Sequence, residues 1–291
     1  MPFHGSIVAI VTPFTAGGAS VDIPALKRLV DWHIAQGTQG IVPCGTTGES
    51  ATFSHEEQHR VIGEVVQHVA GRVPVIAGAG SNSTREAVSL AQAAEKLGAD
   101  GILTITPYYN KPNQEGMFQH FKAVREATRL AMVLYNVPGR TGVNMLPETS
   151  ARVCALGGVD AIKDAAANLD QTWEQLRLGV PVLSGDDGMT FPMMAMGAKG
   201  VISVVANFAP ALMRRLCDAC AAGDVAAARA AHGAVVELAK HAFADTNPIP
   251  AKTAVAALGH CRDDLRLPLV PLPADKRAAL VAALRKHALL A

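Results

Sequence analysis

A recurring signal, Gly-x-x-Gly followed by a short apolar run, limits what this chain can fold into more than any other feature. It occurs as Gly37-x-x-Gly40-Ile-Val, Gly98-x-x-Gly101-Ile-Leu and Gly197-x-x-Gly200-Val-Ile, with a degraded copy at Gly157-x-x-x-Ala161-Ile162. Each copy reads as a helix stop, a tight turn and a buried strand. A second pattern, Val-Pro-Val-[Ile/Leu]-[Ala/Ser]-Gly, begins at Val73 and again at Val180. Between the apolar runs lie segments with helical spacing, such as Ile23, Leu26, Val30 and Ile34. Ser54-x-x-Glu57 and Ser83-x-x-Glu86 read as capping boxes that open two of these helices. The apolar runs at 6–11, 40–42, 73–78, 102–105, 132–137, 180–185 and 200–204, with the one ending at Lys163, make eight strands. Alternation of strand and helix predicts a parallel sheet. Eight strands in two alternating classes predict a closed (β/α)8 TIM barrel, because alternate strands fill alternate interior layers. An open doubly wound sheet is the competing architecture, but no Gly-x-Gly-x-x-Gly nucleotide turn occurs.

Strand signals stop near residue 208. The segments 209–222, 225–245, 252–258 and 273–290 are rich in Ala and Leu with helical spacing. We therefore expect a barrel over 1–224 and a C-terminal helical extension over 225–291, whose apolar faces would suit self-association. A chain of 291 residues fills one large core of this kind without a second full domain.

The charge balance, 26 basic against 25 acidic residues with no block of one sign, argues against nucleic acid or an anionic membrane as partner. No apolar run reaches membrane-spanning length, and Met1-Pro2-Phe3-His4-Gly5 lacks the flank and core of a signal peptide, so a cytoplasmic location is expected. The five cysteines are odd in number and widely spaced, which suits a reducing compartment. Cys217-x-x-Cys220 falls in a helical run without a second ligand pair, and the ten histidines show no ligand spacing; no metal is expected. Asp186-Asp187 reads as a turn.

In a barrel of this type chemistry sits at the carboxyl ends of the strands. Those ends carry Thr46, Thr47 and Glu49 after the second strand, and Tyr108 and Tyr109 after the fourth. Tyr135, Asn136 and Arg140 follow the fifth, Lys163 and Asp164 the sixth, and Ser184 to Asp187 the seventh. Two readings of Lys163 are open: a strand end with its head in water, or an ammonium destabilised by apolar surroundings and so able to act as a neutral nucleophile. A neutral amine would condense with a 2-oxo acid to an imine, whose adjacent carbon then attacks an aldehyde. Tyr135, Thr46 and a second phenol could relay protons. The N–H groups of the Gly45-Thr46-Thr47-Gly48 turn, entering a helix, would hold one carboxylate, and the fork of Arg140 a second. A surface or interface ion pair is the other reading of Arg140.

These residues lie in stretches that resemble the dihydrodipicolinate synthase family of pyruvate-dependent class I aldolases and lyases. The stretches are Gly5-Ser-Ile-Val-Ala-Ile-Val-Thr-Pro13, Gly45-Thr-Thr-Gly-Glu-Ser-Ala51, Thr106-Pro-Tyr-Tyr-Asn-Lys-Pro112 and Tyr135-Asn-Val-Pro-Gly-Arg-Thr-Gly142, with Ile162-Lys163, Ser184-Gly-Asp-Asp187 and Asn247-Pro-Ile-Pro-Ala-Lys252. The resemblance implies a Schiff base between Lys163 and pyruvate, with no other cofactor, followed by condensation with L-aspartate 4-semialdehyde in lysine (diaminopimelate) biosynthesis. It implies a relay of Tyr135, Thr46 and Tyr109, with Tyr109 reaching a neighbouring subunit's site in a homotetramer. Thr47 would bind the pyruvate carboxylate, Arg140 that of the semialdehyde, and Gly185 and Ile202 would line the pocket. Ser50, Ala51, His55, Asn82, Glu86 and Tyr108 match the family's allosteric lysine site.

Two departures stand out. The family's Thr-Gly after the lysine is Ala166-Ala167 here, within Asp164-Ala165-Ala166-Ala167-Asn168. Gln58 replaces a histidine of lysine-inhibited members, which predicts weak or absent inhibition. The alternatives are a related Schiff-base aldolase for another aldehyde (N-acetylneuraminate, 2-keto-3-deoxy sugar acid or 4-hydroxy-2-oxoglutarate type) and a non-catalytic small-molecule-binding paralogue. Arg140 disfavours the sugar-acid types.

Overall fold

The computed structural model describes residues 3–290 and contains eight parallel strands that alternate with helices. The strands are β1 (Gly5–Ala9), β2 (Gly40–Val42), β3 (Ile76–Gly78), β4 (Gly101–Ile105), β5 (Ala131–Asn136), β6 (Val159–Asp164), β7 (Val182–Ser184) and β8 (Gly200–Ser203). Sequential neighbours pair from β3 round to β8, and β1 lies between β8 and β2. The barrel closes between β2 and β3 through a parallel bridge at Ile41 and Val75, where the Ile41 N–H donates to the Pro74 carbonyl at 3.0 Å.

The two repeated motifs act as the sequence predicts. Gly37, Gly98 and Gly197 adopt φ of 84°, 81° and 121° just past their helices, a conformation only glycine takes without strain. The two Val-Pro-Val copies make equivalent bonds: the Pro74 carbonyl accepts from Ile41 and the Pro181 carbonyl from Ile162. Each proline thus sits at a strand start, where its missing N–H leaves no gap in the ladder.

Strand alternation divides the core. Ile7, Val42, Ile76, Leu103, Val133, Ala161, Leu183 and Ile202 fill the barrel interior, while Val8, Ile41, Ala77, Ile102, Leu134, Ile162 and Val201 pack outward against the helices. The outer layer comprises α1 (Ile23–Ala35), α2 (His55–Val69), α3 (Thr84–Lys96), α4 (Gln114–Ala127), the single turn α5 (Pro138–Thr141), α6 (Pro147–Cys154), α7 (Leu169–Leu176), α8 (Thr190–Ala195) and α9 (Pro210–Ala221). Three more, α10 (Val225–Ala242), α11 (Ile249–Ala257) and α12 (Ala274–Lys286), follow α9 and share its apolar cluster. Helix α11 is buried on every side from Ile249 to Val255, with Lys252 inside it. No helix among the described residues is long and apolar enough to cross a membrane.

The capping boxes are half realised. Ser54 Oγ accepts from the Glu57 N–H at 3.1 Å, but the Glu57 carboxylate grips the Arg266 guanidinium instead of returning to the cap. At α3, Ser83 makes no side-chain cap, and Glu86 turns to Ser81 Oγ and His55 Nε2. In both cases a charged or hydroxyl partner from elsewhere in the fold outcompetes the local bond. The Pro-Gly turn after β5 is the helical turn α5, and α8 is a short helix whose end only the Gly197 stop marked in the sequence.

Ala167 holds φ at 54°, in the left-handed region, where a Cβ costs about 1 kcal/mol. Ala167→Gly is therefore expected to raise the unfolding temperature by a few degrees at most, because glycine's greater unfolded-state freedom offsets part of the gain. A lowered transition in a thermal scan would contradict this account of the position.

Candidate active site

Lys163 follows Ala161 by two residues on β6, so the pleat sends both side chains into the barrel. An extra residue in β6, Asp160, set against the Met132–Val133 step of β5, brings Lys163 directly opposite Tyr135, and Leu183 of β7 flanks it on the other side. The lysine is 6% exposed, and its Nζ lies 4.0 Å from the centroid of the Tyr135 ring. Burial draws its pKa down to about 7, against the pull of the Asp187 carboxylate, while Arg140 assists the lowering. Burial also pushes the Tyr135 phenol up to about 12. Near neutral pH the site therefore holds a substantially deprotonated amine beside a fully protonated phenol, a nucleophile next to a proton donor.

Gly185, at the end of β7, makes room for this lysine. A Cβ there would lie 3.1 Å from Lys163 Cε and 2.8 Å from Ala165 Cβ. The adjacent pair divides its tasks. Asp186 Oδ1 accepts from the Gly188 N–H at 2.8 Å, as expected of a turn residue. Asp187 is buried, and its carboxylate accepts the Ser203 hydroxyl and the N–H groups of Val204 (3.0 Å) and Val205 (3.2 Å). Burial raises its pKa to about 6. It joins the ends of β7 and β8 and supplies the negative field that Lys163 feels.

In the Gly45-Thr46-Thr47-Gly48 turn, the N–H groups of Gly48 and Glu49 close on the carbonyls of Gly45 and Thr46, both at 3.1 Å. Among the described residues no hydrogen bond engages the N–H groups of Thr46 and Thr47, which leaves two adjacent donors for an anion. The turn does not enter a helix directly, contrary to the sequence expectation. A short 3-10 turn, Ser50–Thr52, intervenes before α2 starts at His55. Any anion held at this turn would meet these two donors and not a helix dipole. Thr47 Oγ1 already accepts a bond from Asn247 Nδ2 (2.9 Å), so its own proton is directed elsewhere. The Arg140 Nη2 is steadied by the Asn247 carbonyl at 3.2 Å.

Thr46, Thr47, Tyr135, Arg140, Lys163 and Gly185 all line one cavity of about 150 Å³, roughly five times the ~30 Å³ share of one liquid water. Two other sequence candidates stand apart. Ile202 belongs to the interior apolar cluster and is not part of the cavity wall. Tyr109 is 88% exposed with φ at 70° and lines neither this cavity nor the larger one beside it. A second cavity of about 360 Å³ shares Thr46, Tyr135 and Arg140, and is walled by Ser50, Ala51, His55, Gln58, Glu86 and Tyr108. Asn82 is not in that wall, and its carbonyl accepts from Asn110 Nδ2 at 2.9 Å. Phe243 and Asn247, from the chain that links α10 to α11, also line the smaller cavity. The Asn-Pro-Ile-Pro stretch marks Asn247 in the sequence and nothing marks Phe243, since no strand end carries either.

A closed parallel barrel with a buried, proton-poor lysine at the carboxyl end of β6 defines a barrel enzyme of the carbonyl–amine class. Within that class the chain belongs to the dihydrodipicolinate synthetase family, whose model matches residues 2–287. It is 53% identical to the 4-hydroxy-tetrahydrodipicolinate synthase of Pelobacter propionicus, over 99% of this chain and 100% of that protein. To the enzyme of the same name from Geobacter sulfurreducens it is 51% identical, with the same coverage. A crystal structure of the chloride-inhibited dihydrodipicolinate synthase from Acinetobacter baumannii, complexed with pyruvate, superposes with a TM-score of 0.96 at 45% identity, covering 99% of each chain.

Gly185→Ala should displace the Lys163 side chain and slow its trapping by a carbonyl compound and borohydride roughly ten- to hundredfold, because sub-ångström placement governs such additions. Unchanged trapping, followed by mass spectrometry, would show that the close approach is irrelevant.

Proposed function

We propose that the protein condenses pyruvate with L-aspartate 4-semialdehyde to 4-hydroxy-tetrahydrodipicolinate, in lysine (diaminopimelate) biosynthesis. The observation that carries this reading is the buried Lys163 amine, drawn down to about 7, beside Tyr135 and Arg140 in one small cavity. Lys163 adds to C2 of pyruvate and water leaves, giving an iminium. Loss of a C3 proton gives the enamine, whose carbon forms the new bond to the aldehyde. Tyr135 and Thr46 pass a proton to the resulting alkoxide. The amino group of the semialdehyde then adds to C2 and displaces Lys163, which closes the ring and frees the amine.

In this reading Thr47 and the open N–H groups beside it hold the pyruvate carboxylate, and Arg140 holds that of the semialdehyde. Gly185 shapes the pocket beside Lys163, while Ile202 stays within the apolar interior of the barrel. Every step uses only the imine, so the chemistry calls for no further cofactor. Tyr109 completes the relay of a neighbouring subunit in a homotetramer, a role suited to its exposure. The exposed Leu169 and Trp173 of α7 supply an apolar patch for such assembly. Residues 225–291 serve as a helical unit that finishes the mouth of the 1–224 barrel. The cytoplasm is the compartment that fits a five-thiol chain with no disulfide-like spacing.

Borohydride reduction with pyruvate should leave a reduced adduct on Lys163, and Lys163→Ala should remove both adduct and turnover; an adduct elsewhere, or none, overturns the mechanism. The neutral amine is the reactive form, so trapping at low pyruvate should rise about tenfold per pH unit below about 7 and level above it. Because the Asp187 carboxylate raises the lysine's pKa, Asp187→Asn should move that midpoint down; a rise in the midpoint would contradict the assignment.

The larger cavity corresponds to the family's lysine site, with Ser50, Ala51, His55, Glu86 and Tyr108 in its wall and Asn82 nearby. Gln58, in place of a histidine, commits its Nε2 to the Gly78 carbonyl at 2.8 Å, and Glu86 is engaged by His55 at 2.5 Å. Weak or absent inhibition by lysine is expected, and inhibition at submillimolar lysine in a steady-state assay would refute it.

A further inference from the structure

We propose that the buried ion pair between Glu49 and Lys252 is a positioning device, by which the C-terminal extension holds the anion-binding turn in register with Lys163. The inference rests on the reading of this turn as the pyruvate carboxylate site. It starts from an arrangement that stability alone does not call for. Glu49 and Lys252 are both 0% exposed and lie 2.6 Å apart. Removing two charges from water is costly, and replacing a buried pair by apolar groups often leaves stability unchanged or improved. Fixing geometry is a use that offsets such a cost.

The geometry fits that use. Glu49 ends the Gly45–Glu49 turn in a left-handed conformation, φ 59°, that a β-carbon makes unfavourable, so the turn requires an external hold. Its second carboxylate oxygen accepts the Arg266 N–H at 3.3 Å, and its N–H and carbonyl close turns with Thr46 and Thr52. Lys252 Nζ lies 3.7 Å from the centroid of the Phe14 ring, inside a helix otherwise buried among apolar groups, so it cannot swing to another partner.

Five residues earlier, Asn247 bonds Thr47, two residues before Glu49 in the turn. The extension therefore grips the turn at two points, one on the residue assigned to the carboxylate and one just beyond it. The two open N–H groups, of Thr46 and Thr47, lie immediately before and at the first grip. Loss of the second grip leaves Lys163 and Tyr135 on their strands and Arg140 on α5, and frees only the turn.

The test compares wild-type protein, Glu49→Gln, and the double variant Glu49→Gln/Lys252→Met, which leaves no charge unpaired and so guards against a simple failure to fold. The readouts are the pyruvate concentration for half-maximal borohydride trapping, kcat at saturating pyruvate, and the unfolding temperature. Both variants should need roughly ten- to hundredfold more pyruvate while kcat falls less than about threefold, the pattern of lost ground-state binding. The double variant should regain unfolding temperature over Glu49→Gln without regaining pyruvate affinity. If either folded variant traps pyruvate at the wild-type concentration, whatever its unfolding temperature, the pair is structural only and the inference fails. Absence of trapping in the wild-type protein would instead overturn the proposed function itself.

Discussion

Desolvation of one ammonium group governs this site. A lysine in water near pH 7 is almost wholly protonated and inert towards carbonyls, and the barrel changes that by leaving Lys163 6% exposed among Tyr135, Leu183 and Ala161. The surrounding features follow from the need to hold that state without expelling the side chain. Gly185 yields the space beside Cε, Tyr135 offers a ring face for whatever positive charge forms, and Asp187 limits how far the pKa falls. Asp187 is itself restrained from the end of β8 by the Ser203 hydroxyl and two backbone N–H groups, which fixes the negative charge that faces the amine.

The site is also assembled from two kinds of scaffold. Strand ends supply Lys163, Tyr135 and Gly185, whose positions are tied to sheet register. The Gly45–Glu49 turn has no strand or helix of its own to brace it, and it is held from outside: by Thr12 Oγ1 on the Gly48 carbonyl at 2.8 Å, and by Asn247 and Lys252 from the extension. That division explains why an apparently accessory helix such as α11 is buried all round and carries a lysine. Its task lies at the mouth of the barrel.

Much of this was legible in the chain. The Gly-x-x-Gly copies marked strand starts because only glycine tolerates the φ at Gly37, Gly98 and Gly197, and the polar residues at strand ends stood out against apolar runs. What stayed hidden depended on distant partners. Glu57 and Glu86 matched a local capping pattern yet bond Arg266 and His55, which approach only when the helices pack, with the nearby Ser81 hydroxyl also drawn to Glu86. Asp187 looked like a turn residue because sequence carries no sign that Ser203, Val204 and Val205 converge on it. Phe243 and Asn247 were invisible as cavity residues because they arrive from beyond the last strand.

By itself the sequence determined the eight-strand parallel order, the extension after it, and which residue types face the carboxyl end, since these follow from periodicity and from glycine's backbone freedom. The tertiary structure decided the rest: the bulge in β6 that levels Lys163 with Tyr135, the burial that lowers the amine's pKa, the separation of Tyr109 from its own chain's cavity, and the two grips on the Gly45–Glu49 turn. The bulge, the burial and the two grips depend on groups far apart in the chain meeting in a space from which water is excluded, and no local pattern encodes that meeting.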